Sequence, residues 1–256
     1  MTDIHHAAAQ GFSSQADTYA RGRPDYPPAL GAWLEQQLGL RAGKTVLDLG
    51  AGTGKFSRLL LATGATVIAV EPVAAMRARL SAALPSVQAL EGTAEAIPLP
   101  GASVDAVVCA QAFHWFANSA AMAEIGRVLR PGGKLGLVWN VRDESVDWVA
   151  RLTAIMTPFE GDAPRFYKGD WKAVFPAPGF GELALSAFPY EHVGPAQQVV
   201  VDRVMSVSFI ASLPPAQQDA VRARLQAVID GSPALAGKPS VAFPYRTEAY
   251  SCQRLG

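Results

Sequence analysis

In Asp48-Leu49-Gly50-Ala51-Gly52-Thr53-Gly54-Lys55-Phe56, a carboxylate stands two residues ahead of three alternating glycines. Val46, Leu47 and Leu49 suit a strand buried on both faces, and the glycines permit a tight turn that a ligand can approach closely. Phe56, Leu59, Leu60 and Leu61 then open a helix whose N-terminal amides face the same ligand. Two anion-binding readings fail on spacing. A dinucleotide fingerprint needs glycine at position 55, where the chain has lysine, and a carboxylate at Asp48 is ill placed beside a pyrophosphate. A phosphate loop of the G-x-x-x-x-G-K-[ST] type needs a hydroxyl after the lysine, and Phe56 stands there. Asp48 instead suits a ligand that carries positive charge.

Downstream, Ala65-Thr66-Val67-Ile68-Ala69-Val70-Glu71-Pro72 reads as a second buried strand ending in an acid that can accept both hydroxyls of a ribose. Glu91-Gly92-Thr93-Ala94-Glu95-Ala96-Ile97-Pro98-Leu99, Gln111-Ala112-Phe113-His114-Trp115-Phe116 and Arg127-Val128-Leu129-Arg130-Pro131-Gly132-Gly133-Lys134-Leu135 follow in order. With these stations the chain resembles the class I S-adenosylmethionine-dependent methyltransferases, and among them the methyltransferase type 11 and trans-aconitate methyltransferase-like group. The resemblance is strongest from 44 to 140. It implies S-adenosylmethionine as cofactor, whose sulfonium and ammonium match the charge argument at Asp48, and S-adenosylhomocysteine as product. It further implies that Asp48, Gly50, Ala51, Gly52, Thr53 and Gly54 form the first cofactor loop. Glu71, Pro72, Met76, Thr93, Ala94, Glu95 and Gln111 extend that set, with Thr93 and Ala94 at the adenine.

The N-terminal run Tyr19-Ala20-Arg21-Gly22-Arg23-Pro24-Asp25-Tyr26-Pro27 resembles a segment that covers the cofactor in the same group, with Tyr19 and Arg23 at the matching positions. An arginine there can pair bidentately with the methionyl carboxylate, and an aromatic ring can shield the sulfonium. The blander reading is that Tyr19 packs and Arg23 is solvated. His114 and Trp115, just past the fourth strand, are the catalytic candidates nearest the reacting methyl. His114 reads either as a base or orienter of a substrate carboxylate, or as a hydrogen-bonded wall residue; Trp115 reads first as a hydrophobic wall. Adenine N6 methyltransferases place an aspartate or asparagine-proline-proline-aromatic motif at this point, which Gln111-Ala112-Phe113-His114 does not match. The resemblance therefore implies methyl transfer to a small organic acceptor, at a carboxylate or hydroxyl oxygen. Set against it are C-methylation of a quinone or secondary metabolite, a nicotinamide oxidoreductase, and a catalytically silent cofactor-binding module.

Such a site needs strands that end together. Between Lys44 and Asn140, strands at 44–49, 66–70, 86–90, 104–110 and 134–139 alternate with helices at Phe56 to Ala62, Val73 to Ala83 and Ala120 to Leu129. This is a doubly wound, Rossmann-like α/β pattern whose right-handed crossovers bring Asp48, Glu71, Thr93 and Gln111 to one sheet edge. Beyond it the sequence predicts a helix from Trp148 to Met156 and a Pro-, Gly- and aromatic-rich cap from Thr157 to Gly181. A strand from Leu183 to Tyr190, helices over Gln197 to Ala211 and Pro215 to Ile229, and a final strand near Val241 to Ser251 follow. The family resemblance makes this a seven-stranded, mostly parallel sheet with the last strand antiparallel. One domain covers 1–256: lid helices at 1–40, the cofactor core at 41–140, cap and strand six at 141–240, and the final strand at 241–256. Phe159, Phe166, Tyr167, Trp171 and Phe175 line either a cap pocket or the core, and Phe209 and Tyr245 share that ambiguity.

The 256 residues are half hydrophobic and carry 22 basic against 22 acidic side chains, enough for one substantial core and without the footprint of a polyanion partner. The expected partners are a small-molecule methyl acceptor, with no nucleic acid and no membrane, in a cytoplasmic monomer or homodimer. Cys109 and Cys252 have no metal-ligand spacing and read as buried reduced thiols; no metal is expected.

Overall fold

The computed structural model describes residues 22–256. Its centre is a seven-stranded sheet in the order β3-β2-β1-β4-β5-β7-β6. The strands are β1 (Thr45–Leu49), β2 (Thr66–Val70), β3 (Gln88–Leu90), β4 (Val104–Ala110), β5 (Leu129–Arg142), β6 (Ala184–Gly194) and β7 (Val241–Gln253). The first five pair in parallel, and β7 runs antiparallel between β5 and β6.

Strand alternation decides which layer each residue joins. Val46, Ala106, Val108 and Val138 face a core shared with α1 (Ala29–Leu38), α2 (Lys55–Ala62) and α3 (Ala74–Ala83) through Trp33, Leu34, Leu60 and Leu80. Their neighbours Leu47, Val107, Leu137 and Trp139 point the other way, where α4 (Ser119–Val128) contributes Met122 and Ile125 and the cap contributes Trp171. With both faces covered, the parallel strands carry the near-continuous apolar runs seen in the sequence. A third cluster joins Phe243 and Tyr245 of β7 to α5 (Asp147–Met156), the segment 197–211 and α8 (Pro215–Asp230). No helix among the described residues is long and apolar enough to cross a membrane.

Several expectations change. The described part of the 1–40 segment is not all lid, because α1 buries Leu30, Trp33, Leu34 and Leu38 in the sheet-facing core. The helix expected over Gln197 to Ala211 is three pieces. A π-helical turn at Gln197–Asp202 runs into α6 (Arg203–Met205), and α7 (Ser208–Ala211) follows after a break at Val207, whose backbone is extended. Periodicity over so short a span does not separate a continuous helix from pieces that bury the same side chains. β5 begins at Leu129 and not Lys134, with an irregularity between its pairings to Val104 and Ala106 that absorbs Pro131-Gly132-Gly133. Of the cap aromatics Trp171 is core, its ring centroid 4.7 Å from that of Trp139 and 5.0 Å from that of Tyr250, while Phe159, Phe166 and Phe175 are half-buried against the core clusters and Tyr167 is exposed.

Candidate functional site

At the carboxyl ends of β1, β2 and β4 the chain encloses a cavity of about 220 Å³. Its floor is the glycine loop. Gly50, Gly52 and Gly54 all have positive φ (74°, 57° and 82°), and a Cβ on Gly50 would lie 2.8 Å from the Ala112 Cβ. The loop is tied to the next strand, since Gly50 N–H donates to the Val70 carbonyl at 2.8 Å and Gly52 N–H donates to Glu71 Oε2 at 2.8 Å. Glu71 Oε1 accepts from Val73 N–H at 2.9 Å, so one carboxylate fixes both the loop and the turn after β2.

Asp48 is fully buried. Its Oδ2 accepts a 2.6 Å hydrogen bond from the Ser57 hydroxyl of α2, while Oδ1 has no hydrogen-bond partner among the described residues. Burial pushes this carboxyl up to about 7; the Ser57 bond opposes the rise and the neighbouring Glu71 adds to it. Burial also raises Glu71, against the two amide bonds and Arg77. Thr93 Oγ1 is a second buried oxygen without a partner among the described residues.

The expected residues Arg23, Asp48, Gly50, Ala51, Gly52, Thr53, Glu71, Pro72, Met76, Thr93, Ala94, Glu95, Gln111 and Trp115 all border this cavity, whereas Gly54 does not. Tyr19 lies outside the described residues. Pro24 and Tyr26, from the run expected to cover the cofactor, border the cavity too, and Lys55, to which the sequence assigned no role, joins them. They form a strap: Lys55 Nζ bonds the Arg23 carbonyl and Asp25 Oδ1, the Tyr26 ring meets Phe56 edge-on at 4.8 Å, and Asn140 Nδ2 donates to the Asp25 carbonyl at 2.8 Å. Lys55, which spoils the dinucleotide pattern, therefore anchors the chain that crosses the cavity.

A second cavity, of about 140 Å³, adjoins the first. Arg23, Gln111, Trp115 and Arg203 border both. Gln111 holds a left-handed φ of 59°, unusual for a residue with a Cβ, and its N–H donates to the Val138 carbonyl at 2.8 Å. His114 borders only the second cavity. Trp139 Nε1 donates to His114 Nδ1 at 3.1 Å, and burial together with Arg165 and Arg23 pushes the imidazole down to about 3. The ring is thus neutral with its proton on Nε2, which makes it a donor toward the cavity and leaves it no free lone pair to act as a base. Phe166, Tyr167 and Phe209 also reach this cavity, and Tyr245 supports it from the core.

Sequence reading missed the charges here. Arg142 ends β5, Arg165 lies in the cap and Arg203 opens α6, so three separate segments deliver guanidinium groups to one wall. The only sequence signal was Arg165 beside Phe166 and Tyr167 in an aromatic stretch.

The model of a methyltransferase domain matches residues 47–137. Over 244 residues the chain is 38% identical to an uncharacterized methyltransferase-like protein of Schizosaccharomyces pombe, covering 95% of each. It is 40% identical to an uncharacterized methyltransferase of Mycobacterium bovis, covering 96% of this chain and 97% of that one. Among solved structures it is similar to phosphoethanolamine N-methyltransferase 2 of Haemonchus contortus, in complex with phosphomonomethylethanolamine and S-adenosylhomocysteine. That similarity has a TM-score of 0.60 at 12% identity and covers all of this chain and 61% of the other, a likeness of fold.

Proposed function

The chain belongs to the S-adenosylmethionine-dependent methyltransferases, and from that premise we propose that its first cavity holds the methyl donor while its second presents an oxygen of a small organic acceptor. The shared boundary of the two cavities at Arg23, Gln111, Trp115 and Arg203 is the observation that carries this reading. When bound, S-adenosylmethionine supplies a methyl group on a cationic sulfur that becomes a neutral thioether on transfer.

The first cavity fits that donor. Asp48 Oδ1, buried and without a partner among the described residues, is an acceptor for its positive portion, and Thr93 Oγ1 is free to meet the base. Glu71 already takes one N–H on each oxygen, and a carboxylate keeps further lone pairs for ribose hydroxyls. Ala51 and Thr53 of the loop, with Pro72, Met76, Ala94 and Glu95, wall the remainder. Arg23 Nη2 bonds the Ser206 carbonyl at 3.0 Å, which holds the guanidinium between the cavities, within the region assigned to the methionyl carboxylate.

Oxygen is favoured over nitrogen because a protonated amine would meet the arginines around the second cavity. Trp115 and Phe209 enclose the transfer path, and His114 Nε2–H can hold an acceptor oxygen in line. The test is incubation of the purified protein with methyl-labelled donor and a small-molecule cell extract, with mass identification of the product. Label on an oxygen is expected. Label on nitrogen or carbon, or donor binding with no labelled product, would overturn the proposal.

A further inference from the structure

Ser57 does not border the first cavity, yet it is wholly buried with its hydroxyl on a carboxylate that does. The first turn of α2 puts it there. Phe56 and Leu60 pack into the core that α2 shares with Val46 of β1, which fixes the rotation of the helix about its axis. In that setting Ser57 faces back to Asp48, nine residues earlier in the chain. A methyl group would fill the position as an apolar core residue does, and a buried hydroxyl costs free energy unless it is bonded. Its partner is Asp48 Oδ2 at 2.6 Å.

Asp48 needs that bond. From the end of β2, Glu71 opposes its ionisation, and from β4 comes Cys109, a thiol that burial and Asp48 together push up and keep neutral. Arg23 of the strap, Lys55 of α2, Glu95 after β3 and Arg203 of α6 are the other charged groups on the cavity wall. Among the described residues none of these hydrogen-bonds Asp48, and Ser57 is its one donor. Burial and Glu71 both favour the neutral carboxyl, and the Ser57 bond works against them. The same bond decides which oxygen is left over. Oδ2 already accepts the Ser57 proton and is the poorer base, so the proton of a neutral Asp48 resides on Oδ1. Oδ1 then changes from acceptor to donor and meets a cationic ligand with the wrong polarity.

We propose that Ser57 is a positioning residue for the methyl donor: it holds Asp48 ionised with Oδ1 left to the ligand, so that a single proton on that oxygen closes the site to a cation. This rests on the donor reading of the first cavity and adds a residue that acts through Asp48 without touching the ligand. Removing the hydroxyl removes a hydrogen bond to a charged group, which should move the Asp48 titration up by about one pH unit or more.

The test is calorimetric titration of S-adenosylmethionine into wild type and Ser57→Ala between pH 5.5 and 8.5. A 5′-methylthioadenosine titration accompanies it, since this fragment has the adenine, ribose and sulfur but no charge. Ser57→Ala should bind S-adenosylmethionine about fivefold more weakly at pH 7, with the loss shrinking to about twofold or less at pH 8.5. Affinity for 5′-methylthioadenosine should match the wild type, which also reports an intact fold. In an Asp48→Asn background the same substitution should leave S-adenosylmethionine affinity within about twofold at every pH, because the group it acts through is gone. A Ser57→Ala profile that superimposes on the wild type overturns the proposal. So does a loss that is equal at all pH values or equal for both ligands, which is the mark of a merely structural hydroxyl. Failure of both ligands to bind the wild type would instead remove the donor reading beneath it.

Discussion

Asp48 and His114 show how burial assigns opposite roles to two titratable side chains. Asp48 is desolvated up to about 7 with one oxygen unsatisfied, so a cationic donor must find it ionised. Donor affinity should accordingly fall as pH drops below about 7. Asp48→Asn should lose roughly tenfold or more in affinity at pH 8, the scale of a charged hydrogen bond, and should flatten the pH dependence. Calorimetry between pH 5.5 and 8.5 measures both, and a wild-type affinity that is level across that range contradicts the assignment. For His114, whose Nδ1 is held by Trp139, the expectation concerns turnover. Loss of a general base costs ~100-fold to ~10,000-fold. His114→Gln should cost less than about tenfold in kcat and leave the pH profile unmoved, because glutamine keeps a donor and an acceptor.

At the scale of elements, the glycine loop and the strap across it form one unit. Gly50 cannot accept a side chain without both a positive-φ penalty and a clash with Ala112. Gly50→Ala should destabilise the fold by about 1–3 kcal/mol, read from urea unfolding, and should weaken donor binding as well. Native-like stability in that variant would mean that the loop relaxes. The strap predicts a separate behaviour. Lys55→Ala removes the bonds to Asp25 and the Arg23 carbonyl but leaves the α2 core contact of Phe56, so donor affinity should fall while the melting temperature changes little. The parallel strands were readable because each is an apolar run bounded by turn residues, and the strand ends at Asp48, Glu71 and Gln111 followed directly. The broken segment over 197–211 was not, because Val199, Val200, Val201 and Ile210 are buried in the same cluster whether the helix is continuous or interrupted.

The whole molecule integrates these effects through its dependence on pH and on ligand. The unfolded Asp48 ionises above the ordinary 3.8, whereas the folded one holds its proton up to about 7, so its ionisation penalises the fold above 7 and is relieved as pH falls toward 4. His114 and His192 act in the opposite sense, since burial keeps them neutral with folded values of about 3 and about 4. Each costs stability as pH drops below the ordinary 6.5. The difference in melting temperature between Asp48→Asn and the wild type isolates the aspartate. It should be largest above pH 7 and shrink toward pH 5, and a constant difference contradicts the buried-carboxyl account. A donor concentration fixed at 100 times the Kd measured at pH 8 should add about 2.7 kcal/mol to the wild type at that pH, and less at acid pH, where Kd rises.

The donor half of the site was legible because its determinants are local: one turn of chain carries Asp48 and its glycines, and a strand and a helix later comes Glu71. Backbone geometry at such a loop is dictated by the residues within it. The acceptor half has no such grammar. Arg142, Arg165 and Arg203 stand alone in their segments, with no period or spacing to link them, and each reads in isolation as a solvated surface charge. Only packing of the cap against β5 and β7 removes them from water and turns them toward one cavity, and burial is what converts three ordinary arginines into a selective wall. The same holds for His114, which the sequence placed at the right strand end. Its tautomer, and with it the choice between donor and base, was decided by Trp139 on the neighbouring strand 25 positions away.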